Sequence, residues 1–289
     1  MSFVEGAWVR ERVHKIRARG EDPGRTRGGY VLRVMLVGDV CGRAGREAFG
    51  RFTPGIRKEK AVDIVIVNGE NSAGGKGFTR KSLDALYHGG ADVVTSGNHV
   101  WDKKDVLEFI DDEPFLIRPA NYPDGAPGKG YCIYPHRAKN IAVINMSGRV
   151  FMPDMDCPFQ KIEGILREIR DEADVIFLDF HAEATSEKAA MGWYLDGRVN
   201  AVVGTHTHVQ TADERLLPGG TAYITDLGMT GPWDSVLGVR VDRVLEKFTT
   251  CRPVRFEVAE GPVVYSAVIV EVDDATNRTL SIERIMKKG

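Results

Sequence analysis

From Val31 onward, short β-branched apolar runs alternate with turn-rich loops and helical stretches. A chain written this way folds as α/β layers around sheets whose central strands run parallel. Strands are expected at residues 31–37, 62–67, 92–95, 141–145, 174–178 and 199–203, and helices at 79–88 and 158–171. In the second helix Pro158 suits a first turn, and Ile162, Ile165, Leu166 and Ile169 share one face that should pack on a sheet. Past Arg252 the pattern becomes simple alternation, at 263–272 and 279–285 around the turn-forming Asp273, Asp274 and Asn277. That predicts antiparallel hairpins. No internal repeat or low-complexity linker divides the chain after Val31, so residues 31–289 are expected to form one domain.

The ends of these runs carry the chemistry. They read Gly38-Asp39, Asn68-Gly69-Glu70-Asn71, Gly97-Asn98-His99, Phe180-His181 and Gly204-Thr205-His206-Thr207-His208. In a parallel sheet such ends share one edge, where residues distant in sequence converge. Taken singly, an Asp after a strand reads as a turn former or helix cap, and a lone His as a hydrogen-bonded structural residue. However, four of the seven histidines stand at these ends, whereas His14, His88 and His136 lie elsewhere and read as structural. His206 and His208 are two apart, so an extended segment would aim both rings to one side. Asn98 and His99 are adjacent and should diverge, one toward a metal and one toward a substrate.

Carboxylate, amide and imidazole ligands without thiolate suit catalytic manganese, iron or zinc better than a closed structural zinc site. Two such ions can acidify a water and hold the attacking and leaving oxygens on phosphorus. A nearby imidazole can protonate the leaving group.

Composition narrows the class. Of the 289 residues 43% are hydrophobic and 28% charged, with a net charge of -2, which gives no overall field to attract nucleic acid or membrane. Cys41, Cys132, Cys157 and Cys251 are far apart and form no C-x-x-C pair, as expected of reduced thiols in a cytoplasmic protein. No apolar stretch reaches the ~18 residues of a membrane span, and the N-terminus has no secretory signal pattern. Residues 1–30 form a basic, Gly-containing arm with Arg10, Arg12, Lys15, Arg17, Arg19, Arg25 and Arg27. It reads either as a nucleic-acid contact or targeting sequence, or as a disordered extension or misassigned start; the second reading is adopted.

The Gly-rich loops fit neither the dinucleotide fingerprint nor a Walker A loop. Gly74, Gly75, Lys76 and Gly77 could offer amides and an ammonium to a phosphate, or form only a mobile turn. Asp102 could cap a following helix or orient His99, and Trp101 reads as core packing. Arg118, Asn121 and Tyr122 could line a pocket or belong to a Pro-flanked turn.

Taken in order, GDVCGRAGR (38–46), NGENSAGGKG (68–77), SGNHVWD (96–102), RPANYP (118–123), FHAE (180–183), GTHTHVQT (204–211) and TDLGMTG (225–231) make the chain resemble the calcineurin-like metallophosphoesterases. More closely it resembles their bacterial YmdB-like branch, described as 2',3'-cyclic-nucleotide phosphodiesterases. The resemblance runs from about Arg33 to the C-terminus. It implies a layered α/β/β/α sandwich with a metal site at the C-terminal ends of the central strands.

The resemblance also implies a metal shell of Asp39, Glu70, Asn71, Asn98, His181, His206 and His208, with Glu70 bridging and His99 as the acid facing the substrate. One division gives one ion Asp39, Glu70 and His208, with Asn71 close by, and the other Glu70, Asn98, His181 and His206. Iron or manganese is favoured, with zinc a further choice. Cys41 and Glu70 stand where the wider superfamily has His and Asp, as in this branch; Cys41 is expected to be a packing residue.

The implied substrate is a small phosphodiester such as 2',3'-cyclic AMP. A metal-bridging hydroxide would open it to a nucleoside 3'-phosphate while His99 protonates the ribose oxygen. The alternatives are a general phosphomonoesterase or nucleotidase, or a phosphate-sensing regulator acting through RNA or an RNA-processing partner.

Overall fold

The computed structural model describes residues 29–289. The basic arm assigned to residues 1–30 therefore lies outside the described residues except for Gly29 and Tyr30, as does His14. The chain runs β1 (Val31–Val37), β2 (Asp39–Val40), α1 (Gly42–Glu59), β3 (Ile64–Asn68), α2 (Arg80–His88) and β4 (Val93–Thr95), followed by two short 3-10 turns. Next come β5 (Tyr131–His136), β6 (Lys139–Ser147), α3 (Pro158–Glu168), β7 (Val175–His181), α4 (Thr185–Tyr194) and β8 (Ala201–Thr205). β9 (Arg215–Leu216), β10 (Ala222–Ile224), β11 (Met229–Pro232), α5 (Val241–Thr250), β12 (Val263–Asp273) and β13 (Thr279–Lys288) complete it.

Two sheets result. The first is ordered β2-β11-β12-β1-β3-β4, with β13 also paired to β12. Within it β1, β3 and β4 are parallel, while β12 runs antiparallel to β1 and forms the C-terminal hairpin with β13. The second is ordered β5-β6-β7-β8-β10-β9, with β6, β7, β8 and β10 parallel. The strand alternation sorts side chains between layers. Val34, Leu36, Ile64 and Ile66 meet Ile141, Val143, Phe177 and Val203 in a dry core between the sheets.

The intervening residues face outward. Met35, Val37, Val65 and Val67 pack against Phe49 and Ile56 of α1 and Leu83 and Leu86 of α2. Ile144, Leu178, Phe180 and Val202 take Ile162 and Ile165 of α3 and Met191 of α4. The architecture is the expected α/β/β/α sandwich, and its parallel strands bring the C-terminal ends of β1, β3, β4, β7 and β8 to the site described below.

Boundaries shift locally. The helix expected to reach residue 171 ends at Glu168, where Ile169 is the C-cap and drops into the core. Thr79 is an N-cap whose hydroxyl accepts from the Ser82 N–H, so α2 starts at Arg80. α1 was not expected, because Gly45, Gly50, Pro54 and Gly55 weaken the helical pattern. Gly45 has a packing cause: a Cβ there would stand 2.4 Å from the Thr230 carbonyl oxygen, so only glycine lets α1 approach β11.

Phe177 is fully buried where the two sheets meet. Phe177→Ala should lower stability by about 3–5 kcal/mol, read as a lower urea midpoint at unchanged slope. A loss under about 1 kcal/mol would contradict a close-packed inter-sheet core.

Candidate metal centre

Close backbone approach builds the site. A Cβ on Gly38 would lie 1.8 Å from the Gly228 carbonyl oxygen, and one on Gly97 would lie 2.3 Å from both Glu70 Oε2 and His181 Nε2. Glycine before Asp39 and before Asn98 therefore lets the ends of β1 and β4 close around Asp39, Glu70 and His181, all fully buried. His206 and His208 follow β8 but are not extended, with φ of +97° and +64°. The expectation that an extended segment aims both rings one way is corrected: two left-handed residues, strained for side chains with a Cβ, turn the chain so that the rings enter from different directions.

Each of these three rings has one nitrogen engaged by the protein and the other aimed inward. His181 Nδ1 is 2.9 Å from Thr205 Oγ1, which donates at 2.7 Å to the buried Asp179 carboxylate. His206 Nε2 lies 3.0 Å from Glu183 Oε2, and His208 Nδ1 donates to the Leu237 carbonyl at 2.9 Å. Such anchoring fixes tautomer and ring orientation in metal-binding histidines.

The inward nitrogens converge. His181 Nε2 is 3.1 Å from His206 Nδ1, 3.2 Å from Glu70 Oε1 and 3.0 Å from Asn98 Oδ1. Glu70, His181 and His206 offer ligand atoms all within 4.8 Å of one another, close enough to share one ion. Asp39 Oδ1 is 3.9 Å from His208 Nε2, and this pair stands beside the first grouping.

Asp39 Oδ1, Glu70 Oε1 and Asn71 Oδ1 are buried without a hydrogen-bond donor. Unsatisfied buried oxygens beside inward imidazole nitrogens are a donor set that fits cations. The electrostatics differ from group to group. Burial pushes the Asp39 carboxyl up to about 6, against the pull of His208 and His181. Burial opposes charge on Glu70 and His181 too, but their mutual attraction prevails, holding Glu70 below and His181 above its ordinary range, so His181 would release a proton on binding an ion. Burial and the adjacent His181 push His206 down to about 3, which keeps it neutral as a ligand must be.

Asn98 and His99 diverge. Asn98 faces His181, whereas the half-exposed His99 ring has Nδ1 3.1 Å from Asp102 Oδ2 and its backbone N–H donates to Glu70 Oε2. Asp102 thus contacts His99 and caps no helix: the following 3-10 turn has Lys103 at its N-cap position. Asn71 donates its side-chain amide to the Gly75 carbonyl, leaving Oδ1 unpartnered. Cys41 packs with Met229 and Val264, and burial pushes its thiol up to about 12, so it is a packing residue.

Arg118 donates to the Pro119, Ala126 and Pro127 carbonyls, and buried Asn121 bridges Ser147 and Asp156, so both belong to the turn rather than a pocket. Tyr122 stacks edge-on with Trp101. His88 donates locally to the Asp84 carbonyl, and His136 lies 3.7 Å from Asp63, both away from the centre. Sequence reasoning missed Asp179 and the buried Lys188–Asp226 pair, 2.6 Å apart, whose carboxylate also accepts from Thr207 N and Oγ1 and so pins the loop between His206 and His208. Asp179 is the inner end of a strand pattern, and Lys188 sits on a helix that shows no amphipathic signal; neither announces a polar role.

No helix among the described residues is long and apolar enough to cross a membrane. A 2',3'-cyclic-nucleotide 2'-phosphodiesterase of Bacillus subtilis (strain 168) is 51% identical over 255 residues, covering 88% of this chain and 97% of that protein. Among solved structures, a hypothetical protein from Thermus thermophilus aligns with a TM-score of 0.85 at 41% identity, covering 89% of this chain and 99% of that one. A phosphatase from Mycoplasma pneumoniae aligns with a TM-score of 0.86 at 33% identity, covering 90% and 94%. The family model described as YmdB-like protein matches residues 35–285, and the chain belongs to that family.

Proposed function

We propose that this chain is a metal-dependent phosphodiesterase that opens 2',3'-cyclic nucleotides, or related small phosphodiesters, to nucleoside 3'-phosphates. One observation carries the reading: three imidazoles, each anchored through one nitrogen, converge with the other beside two buried carboxylates, with a half-exposed histidine held at the rim. The name of the Bacillus subtilis relative supports the diester substrate.

Asp39, Glu70, Asn71, Asn98, His181, His206 and His208 would hold two ions, with Glu70 between them. Oxygen and imidazole donors without thiolate suit manganese, iron or zinc, and the family resemblance favours iron or manganese among them. When bound, the ions supply an acidified water and neutralise charge on the phosphoryl oxygens. The remaining work falls to the chain. Asp102 engages His99 Nδ1 and leaves Nε2 free to give a proton to the departing ribose 2'-oxygen. Water adds to phosphorus, the bond from phosphorus to the 2'-oxygen breaks, and the products balance as a 3'-phosphate and a free 2'-hydroxyl. Gly97 leaves the room that Glu70 and His181 occupy beside the chain at that point.

Glu70→Ala should lose metal, measured by elemental analysis, together with hydrolysis of 2',3'-cyclic AMP and bis-nitrophenyl phosphate. His99→Ala should retain metal and lose about 10²- to 10⁴-fold in kcat. Phosphorus-31 NMR of the wild-type product should show the 3'-phosphate, and accumulation of the 2'-isomer would overturn the direction of opening. A manganese- or iron-loaded wild type that cleaves a nitrophenyl monoester but neither diester would favour a phosphomonoesterase instead.

Thr205→Val removes the hydroxyl that anchors His181 and should weaken metal binding about 10- to 100-fold, measured by chelator competition. Unchanged affinity would contradict an orienting role for the Asp179–Thr205–His181 chain.

A further inference from the structure

Besides the charge the ions would supply, an anionic diester can be held by a cation of the chain itself at the rim of the site. The motifs around the site hold four basic side chains: Arg43, Arg46, Lys76 and Arg118. Two are committed within the protein: Arg46 donates to the Ser72 carbonyl and Arg118 to three loop carbonyls. Arg43 lies on the exposed face of α1 with Glu47. The nearby Lys188 is buried on Asp226.

Lys76 differs. Its side chain is 58% exposed, and Nζ lies 3.2 Å from Asp102 Oδ2, the same oxygen that faces His99 Nδ1 at 3.1 Å. One carboxylate oxygen thus ties the ammonium to the ring at the rim of the site. The loop that carries Lys76 is built to hold it there. Gly74, Gly75 and Gly77 have φ of +71°, +97° and +71°, open to glycine and strained for other residues. A Cβ on Gly77 would stand 2.9 Å from Lys103 Cγ and 3.3 Å from the His99 carbonyl oxygen, so the loop lies directly against the segment bearing His99 and Asp102. An exposed ion pair of this kind is weak and easily exchanged.

We propose that Lys76 is the phosphate-recognition group of the site: a non-bridging oxygen of the bound phosphodiester takes its ammonium in place of Asp102. The assignment rests on the phosphodiesterase reading and adds to it a specific ground-state contact. It gives the glycine loop a function that its resemblance to no nucleotide-binding loop left open. Lys76 guides the phosphate, while Asp102 positions His99.

The test separates these roles with Lys76→Met, Lys76→Arg and Asp102→Asn in the metal-loaded full chain. Lys76→Met should raise KM for bis-nitrophenyl phosphate about 10- to 100-fold, the range for one charge-assisted hydrogen bond, with kcat within about threefold of wild type. Lys76→Arg should recover most of the loss, and Asp102→Asn should lower kcat while KM stays level or falls, because the ammonium no longer has to leave a carboxylate. Calorimetric titration with inorganic phosphate should show a matching loss of affinity in Lys76→Met, a readout that remains even if the wild type turns over no diester. The proposal is overturned if Lys76→Met leaves KM and phosphate affinity within about twofold of wild type, or if its effect falls on kcat alone. Equal melting temperatures of variant and wild type exclude misfolding as the cause.

Discussion

Two carboxylates, Asp39 and Glu70, are fully buried where the strand ends of two sheets meet, and most of the surrounding structure answers the cost of that burial. Removing a carboxylate from water costs several kcal/mol unless charge or hydrogen bonds replace the solvent. Backbone N–H groups supply part of the replacement: His206 donates to Asp39 and His99 to Glu70. The facing imidazole of His181 supplies more. Asp39 Oδ1 and Asn71 Oδ1 stay without a donor and define the direction from which cations would be taken. Fold and chemistry are linked at this point, because the parallel strands deliver the ligands and the buried charge gives their convergence a purpose.

The scaffold is stiffest where the ligands need it. His206 and His208 adopt left-handed backbone, which side chains with a Cβ occupy only when the surroundings overdetermine them. Here Asp226, itself neutralised by Lys188, grips Thr207 between them through backbone and hydroxyl. The Leu237 carbonyl, on a residue that is also left-handed, fixes His208. On the opposite side Asp179 accepts from Asn68, Thr95 and Thr205, joining β3, β4, β7 and β8 through one buried carboxylate. A polar network of this kind must be complete to be tolerated in the interior, and its completeness restricts how far the sheet edges can slide past one another.

Much of this was legible from the chain, for specific reasons. The inter-sheet and outer faces follow from strict alternation, as in Val34, Leu36 against Met35, Val37, so the layers could be read directly. The candidate ligand positions could be named because Asp, Glu, Asn and His stood at strand ends in one repeated context. The path after β8 was not legible, since spacing alone suggests an extended segment and only tertiary contacts reveal the left-handed turn. α1 was hidden because Gly45, required for its contact with β11, and Gly50, Pro54 and Gly55 look like helix breakers in isolation. Asp102 read more naturally as a cap, since nothing in the local sequence says that it lies beside both His99 and Lys76. Contacts of that sort depend on how the loop after β3 meets the loop after β4, and their chemistry appears only in the fold.

The most direct measurement is anomalous diffraction from crystals of the manganese- or iron-reconstituted protein, recorded on either side of the metal absorption edge. Two peaks about 3.5–4 Å apart, one among Glu70, Asn98, His181 and His206 and the other beside Asp39 and His208, with Glu70 between them, are the predicted result. A single peak, or peaks away from these side chains, would contradict a dinuclear centre at the junction of the two sheets.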